Sequence, residues 1–510
     1  MTIAHLPFAS SLAPALLMAG TAFVAGDSAT PAGPSRPNIV FILVDDMALM
    51  DMESRLPSGE YVMRNVRQLI RDQGIEFTNA IVSLPVCCPS RATSLTGQYA
   101  HNNHVLSNSY PTGGYSALNH QNTLPMWLQQ AGYYTMHVGK YMNQYNVAMS
   151  QQGYPAPPPG WNEFFTLIEP AHAYYNFKIF DGSGIRLYGT SSADYQTDVL
   201  TRQALKYLQQ EVAGDRPFYL RIDYLAPHED LVTGQHHPIP APRHLGLMNG
   251  VPLPTPPSFN ESDVSDKPIG IRSRPLMNSS DIADLTNDYH WRAESLLAVD
   301  EGVAEIIQKL RDKGEYDDTI FVFTSDNGYL MGEHRVPGAK FLPYEPTRVP
   351  LFVMGTGIPA GQSIHSLVVN VDLPSTIMDW AHGSVGLPQD GRSLVPLIDN
   401  PGIAWRRDVL IENPLSNYYT GLYVRQPNGD MYHYVEYDYD PDGPTGPGVP
   451  DGVWDERELY KLSAALDSCL AAGDAYELES QHNNSCYGVL LQRFHDRLVE
   501  LKACAGRSCN

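Results

Sequence analysis

Basic residues are scarce in this chain: 34 Lys and Arg stand against 56 Asp and Glu over 510 residues, a formal net charge of −22. That deficit excludes general attraction to nucleic acid or to an anionic membrane surface. Charge of either sign is sparse at 18% of residues, while 43% are hydrophobic, which excludes a disordered or coiled-coil chain and describes a folded, enzyme-sized one. Long apolar runs are missing too. After residue 26 no segment reaches the about 18 to 20 apolar residues of a membrane span, and no internal repeat marks a solenoid. Cysteine is rare: six in all, four of them (Cys469, Cys486, Cys504 and Cys509) gathered at the carboxyl end.

The stretch LPFASSLAPALLMAGTAFVAG, 6 to 26, is apolar and ends in small residues, although no Lys or Arg precedes it. It reads as a secretory signal over 1–26, followed by a Pro-rich linker over 27–36. The expected location is secreted or periplasmic, where four clustered cysteines staple a small terminal unit. The local pairing is Cys469 with Cys486 and Cys504 with Cys509, one of three connectivities that four cysteines allow. Asn260, Asn278 and Asn483 lie in N-x-Ser/Thr sequons, which matter only in a host that glycosylates.

At this length two structural units are expected, a large domain over 37–400 and a smaller one over 401–510. PNIVFILVDDM (37–47), PFYLRIDYLAPH (217–228) and TIFVFTSDNG (319–328) are apolar, β-rich runs that end in polar groups, the pattern of buried parallel strands. Helical periodicity lies between them, in VMRNVRQLIRDQG, QTDVLTRQALKYLQQEV and AESLLAVDEGVAEIIQKLRDKG. Strands alternating with helices predict an α/β fold with a doubly wound sheet, whose ligands bind beyond the carboxyl ends of the strands. Residues 229–280, rich in Pro, Gly, His and Ser, read as a long surface insertion near the site. Beyond 400, RDVLIEN, TGLYVRQ and MYHYVEYDYD alternate like short antiparallel strands, and YGVLLQRFHDRLVELK follows as a terminal helix.

Four oxygen-bearing residues follow two of the strands: Asp45 and Asp46, then Asp326 with Asn327. Carboxylate and amide oxygens suit a hard divalent cation, although either pair alone is more often a turn or capping feature. In SLPVCCPSRATSLTGQY, 83 to 99, Pro89 and Ser90 suit a first helical turn and Gly97 a stop. Cys87 then sits at a helix N-terminus, where N–H groups and the dipole favour an anion, with Arg91 one turn away. A vicinal Cys87–Cys88 disulfide or two buried structural thiols fit the residues equally well.

CCPSRATSLTG resembles the signature of the formylglycine-dependent sulfatases, Cys-x-Pro-Ser-Arg with a Leu-Thr-Gly ending. The other motifs of that family have counterparts in order: LVDDM with Asp45 and Asp46, HVGKY with Lys140, LAPH with His228, SDNG with Asp326 and Asn327, and GAKFLPYEPTRVP with Lys340. YAHNNHV, GKYMNQY and CAGRSC look most like the branch that holds glucosamine-6-sulfatases and some arylsulfatases. The resemblance implies an alkaline-phosphatase-like mixed sheet sandwiched by helices, with a small carboxyl-terminal antiparallel sheet and helix. It implies that Cys87 is oxidised by a formylglycine-generating enzyme during maturation and that the hydrated aldehyde attacks sulfur; Cys88 then fills a variable position. Asp45, Asp46, residue 87, Asp326 and Asn327 would hold Ca²⁺ rather than Mg²⁺, Arg91 would steady the nucleophile, Lys140 and Lys340 would clamp sulfate, and His228 would serve the leaving oxygen. Glu345 and Arg348 are expected to brace the Lys340 loop as an ion pair. In one respect the chain departs from the family: Met142 and Asn143 stand where many arylsulfatases carry a second histidine, with His101, His104 and His334 as the remaining candidates for a base. The implied substrate is a sulfated small molecule or a terminal sulfated sugar. A phosphomonoester or phosphonate hydrolase on the same scaffold and a non-catalytic sulfoglycan-binding protein are the alternatives.

Overall fold

The computed structural model describes residues 36–150, 156–168, 172–211, 216–415, 418–438, 455–463, 469 and 473–510. The expected signal and all of the linker except Arg36 lie outside them. The first strand, β1 (Asn38–Val44), is buried along its whole length. Its side chains alternate with period two, Val40, Ile42 and Val44 entering one core and Ile39, Phe41 and Leu43 another. A strand with two apolar faces belongs inside a sheet covered on both sides.

That sheet has ten strands. The rest are β2 (Ile75–Ile81), β3 (Tyr134–Gly139), β4 (Glu163–Ile168), β5 (Lys178–Phe180), β6 (Ile185–Leu187), β7 (Phe218–Tyr224), β8 (Thr319–Ser325), β11 (Leu351–Gly355) and β12 (Gln362–Val369), with the short hairpin β9 (Leu330–Met331) and β10 (Pro337–Ala339) standing apart. The order is β12-β2-β11-β8-β1-β7-β3-β4-β5-β6. The run β8-β1-β7-β3-β4 is parallel, whereas β11 is antiparallel to both of its neighbours and the β5–β6 hairpin closes the far edge. The sheet is therefore mixed, as the resemblance implies, and not the all-parallel one that alternation alone suggests.

Helix α1 (Cys87–Thr96) packs on one face beside α2 (Leu124–Gln130) and α5 (Asp372–Trp380), and α3 (Gln196–Glu211) and α4 (Ser279–Lys313) cover the other. α4 begins fourteen residues before its predicted start, where the Asn278 side chain caps it by accepting from the N–H groups of Ser280 and Asp281. The expected first helix is only Arg64–Val66 followed by a π turn over Arg67–Arg71. Near the carboxyl end β13 (Asp408–Asn413), β14 (Tyr419–Arg425), β15 (Met431–Tyr437) and β16 (Glu456–Lys461) form an antiparallel sheet in chain order. It packs on α6 (Gly488–Lys502) through Tyr432, Tyr434, Phe494 and Leu498. The disulfides are Cys469–Cys486 and Cys504–Cys509, the expected local pairing, and Cys87 and Cys88 are free thiols, which removes the vicinal disulfide. Among the described residues no helix is long and apolar enough to cross a membrane.

Candidate active site

Four adjacent parallel strands release polar residues at their carboxyl ends. Asp45 and Asp46 follow β1, Asp326 and Asn327 follow β8, Lys140 follows β3, and His228 follows β7. Asp46 turns the chain with φ 62°, a conformation that non-glycine residues rarely adopt, and its N–H donates to Asp326 Oδ1 at 3.1 Å. That left-handed turn lets two consecutive carboxylates serve one site.

Cys87 enters from the other direction, as the first residue of α1, whose Gly97 cap has φ 69°. Lys340 Nζ lies 3.2 Å from Cys87 Sγ and 2.8 Å from both oxygens of Asp46. Lys140 Nζ donates to Asp45 Oδ2. Arg91 donates from Nε to Asp326 Oδ2 at 2.9 Å and from Nη1 to the Lys140 carbonyl at 2.6 Å. All of the predicted site residues meet in one place, and Asp45, Asp46, Cys87, Arg91, Lys140, His228, Asp326 and Asn327 are each less than 5% exposed.

Burial penalises every charge here, and the partners decide which survive. It works against the Asp45 carboxylate, but Lys140, His228, Arg91 and Lys340 together hold its pKa well below the usual range. Asp46 is lowered likewise, with Lys340 the main opponent of burial. Asp326 goes the other way, pushed to about 7 by burial and by the nearby Asp45 charge against the pull of Arg91. Three buried carboxylates thus share three cations, Arg91, Lys140 and Lys340. Two buried oxygens, Asp45 Oδ1 and Asn327 Oδ1, have no hydrogen-bond partner, and ligand atoms of Asp45, Asp46, Cys87 and His228 lie within 4.8 Å of one another. Orphaned hard oxygens beside clustered carboxylates suit a divalent cation such as Ca²⁺. Asp326 fits that set least well, since both of its oxygens are already engaged by the Asp46 N–H and Arg91.

Burial also pushes the Cys87 thiol up to about 12, although Lys140 and Lys340 oppose it. His228 has Nδ1 2.8 Å from the Glu229 carbonyl, so Nδ1 carries the hydrogen, while Nε2 lies 3.6 Å from Asp46 Oδ2. Burial, helped by Lys340, lowers its pKa to about 4. Met142 packs in the apolar core beneath α1. His334 and His101 are paired with Glu261 and Glu412 at 2.8 and 2.9 Å, and His104 is exposed, so none of the three joins the cluster. The expected Glu345–Arg348 ion pair is not formed: the Arg348 N–H donates to the Glu345 carbonyl, and both side chains line a separate cavity instead.

Three residues of this region carry no motif. Asp223 binds Arg221 and His137 and lies 3.7 Å from Arg91; its signal is a charged R-I-D triplet inside an otherwise apolar buried strand. Arg292 on α4 donates to the Asp46 carbonyl at 2.6 Å and to Asp51. His172 stacks on His228 with ring centroids 4.7 Å apart.

The residues 37–384 match the family model described as Sulfatase, and the chain belongs to the sulfatase family. It is accordingly an enzyme, a sulfuric ester hydrolase. It is 34% identical over 417 residues to the N-acetylglucosamine-6-sulfatase of Homo sapiens, covering 80% of this chain and 72% of that protein. To an arylsulfatase of Volvox carteri it is 30% identical over 524 residues, covering 94% and 76%. Its fold matches a structure solved in complex with the substrate D-glucosamine-2-N,6-O-disulfate, with TM-score 0.71 and 23% identity over 92% of this chain and 98% of the other.

Proposed function

We propose that this chain hydrolyses sulfate monoesters, aryl sulfates or sugar O-sulfates, releasing inorganic sulfate, with Cys87 carried as formylglycine and Ca²⁺ as cofactor. The observation that carries this reading is Cys87 itself: a buried side chain at the N-terminus of α1, with Lys340 3.2 Å from its sulfur and Asp45 and Asp46 beside it. As a thiol with its pKa pushed to about 12 it is a poor nucleophile. Oxidised to an aldehyde and hydrated, residue 87 supplies a hydroxyl whose second oxygen allows sulfate to be expelled, a route closed to a thiol. Asp45, Asp46 and Asn327 would hold Ca²⁺, joined by Asp326 only where Arg91 leaves an oxygen free, and the ion would supply positive charge to the nucleophile and to sulfate oxygens.

The chain's own cations do the rest. Lys140 and Lys340 are positioned to hold sulfate oxygens and to stabilise charge in the transition state, which resolves how a protein of −22 binds an anion. Arg91, locked on Asp326 and the Lys140 carbonyl, keeps α1 and β3 in register with β8. His228, with its hydrogen fixed on Nδ1, keeps a lone pair on Nε2, which would take up the proton released by the attacking hydroxyl of hydrated residue 87 and return it to the leaving oxygen. The leader sequence and the two disulfides support a secreted or periplasmic site of action. A formylglycine-generating enzyme acting on the CCPSR segment is the required maturation partner, and a small or terminal sulfated substrate fits the absence of a long basic tract.

Turnover of 4-nitrophenyl sulfate and 4-nitrophenyl phosphate on one preparation tests the reading. A kcat/KM at least about a hundredfold higher for the sulfate is expected; preference for the phosphate would overturn it in favour of a phosphoester hydrolase.

A further inference from the structure

His172 lies in the loop between β4 and β5, away from every motif in the sequence, yet it is built against the active site. Its carbonyl accepts from Leu231 at 3.0 Å. The next residues are tied to the same loop after β7: the Tyr174 N–H donates to Asp230 Oδ2 at 3.1 Å, and the Tyr174 hydroxyl donates to the His228 carbonyl at 2.8 Å. The Gln196 side chain holds the Ala173 carbonyl at 2.6 Å from α3. These bonds lay the His172 ring on His228, 4.7 Å between centroids and 30° between planes.

Neither nitrogen of this ring has a hydrogen-bond partner among the described residues, and it is half-buried where His228 is only 4% exposed. The other histidines that approach this end of the sheet or its flanks are committed: His137 to Asp223, His334 to Glu261, His101 to Glu412 and His120 to the Tyr115 carbonyl. The ring is close enough to feel Lys140 and His228, and burial together with those charges keeps it neutral. A neutral imidazole presents one N–H donor and one acceptor nitrogen, the complement of a hydroxyl group.

Its place along the ester follows from the geometry of displacement. The sulfate end must reach Cys87, which is buried, and the leaving oxygen lies on the side of sulfur opposite the attacking atom, as in an in-line displacement. Lys340 touches Cys87 and Asp46, His228 lies 3.6 Å from Asp46, and His172, the more exposed of the two stacked rings, covers His228, so an alcohol half leaving towards His228 meets His172. We infer that His172 is a substrate-binding residue that hydrogen-bonds a hydroxyl on the alcohol half of a polyhydroxylated sulfate ester, of the sugar sulfate class, and so selects it over esters lacking such a group. The inference rests on the sulfatase reading and deepens it.

The test compares wild type, His172→Phe and His172→Gln on glucosamine 6-sulfate and on 4-nitrophenyl sulfate, with released sulfate measured for both. His172→Phe keeps a ring stacked on His228 but removes both nitrogens; His172→Gln keeps a donor and an acceptor. Expected is a loss of about tenfold or more in kcat/KM for His172→Phe on the sugar sulfate, mainly in KM. The aryl sulfate should change less than about threefold, and His172→Gln should recover part of the loss. Equal losses on both esters, no loss on either, or a wild type that hydrolyses only the aryl ester would each overturn the inference while leaving sulfatase activity intact. A wild type inert towards both esters would instead defeat the reading on which it rests. Matching melting temperatures of the three proteins separate these outcomes from misfolding.

Discussion

At the scale of single residues, the site is a balance of three buried carboxylates against three buried cations, and each cation has a separable duty. Lys340 ties the segment after β10 to Cys87 and Asp46, so Lys340→Ala should lower kcat by about 10² to 10³ and also lower the melting temperature, since Asp46 loses its main cation; steady-state kinetics beside calorimetry checks this. Arg91 joins α1, β3 and β8 through Asp326 and the Lys140 carbonyl. Arg91→Ala leaves Asp326 without its cation, while Asp223 keeps Arg221, and should cost about 3 to 5 kcal/mol of stability in urea unfolding; a cost below about 1 kcal/mol would show that the pairing is not structural. The motif-bearing residues were legible in the sequence because their chemistry fixes residue type and spacing. Asp223, Arg292 and His172 were not, since they reach the site through tertiary contacts from a strand interior, the middle of a long helix and a loop, where no local pattern marks them.

At the scale of elements, reading was best where both faces of a strand are buried. β1 and β8 read as apolar runs, β7 as one interrupted by Arg221 and Asp223, and the carboxyl ends of all three meet at the candidate site. Direction is a different matter. LFVMG in β11 is as apolar as its neighbours, and only its pairing with β8 and β2 makes it antiparallel, which no residue in it encodes. The start of α4 was missed because its first fourteen residues carry scattered polar side chains, although Asn278 and Asp281 form the capping box that begins it. The hairpin β9–β10, which precedes Lys340, is fastened to the 229–280 insertion by His334 and Glu261. Burial pushes the His334 pKa down, but Glu261 and Glu345 more than reverse this and raise it to about 9. A histidine raised in the folded state contributes stability in full below its unfolded value of about 6.5 and loses it as pH rises through about 9. Wild type should therefore lose of order 1 to 3 kcal/mol between those limits, and His334→Gln should show a flatter stability curve there; parallel curves would contradict the assignment.

At the scale of the whole molecule, the acidic surface and the cation-rich site are two sides of one design. A chain of −22 repels anions in general, so on the proposed reading a sulfate ester would be captured where Lys140, Lys340 and Arg91 converge with a cation. Removing the cation should leave the buried Asp45 Oδ1 and Asn327 Oδ1 without a partner. Treatment with EGTA is expected to reduce sulfatase turnover at least about tenfold and to lower the melting temperature, with Ca²⁺ restoring both more effectively than Mg²⁺; full activity after chelation would refute a metal role for Asp45, Asp46 and Asn327. The most direct test of the central claim is intact-peptide mass spectrometry across residues 83–99 of active enzyme. Conversion of Cys87 to formylglycine predicts a mass lower by about 18 Da, whereas a disulfide would change it by about 2 Da. A peptide carrying only unmodified cysteine, from a preparation that turns over sulfate esters, would contradict the account.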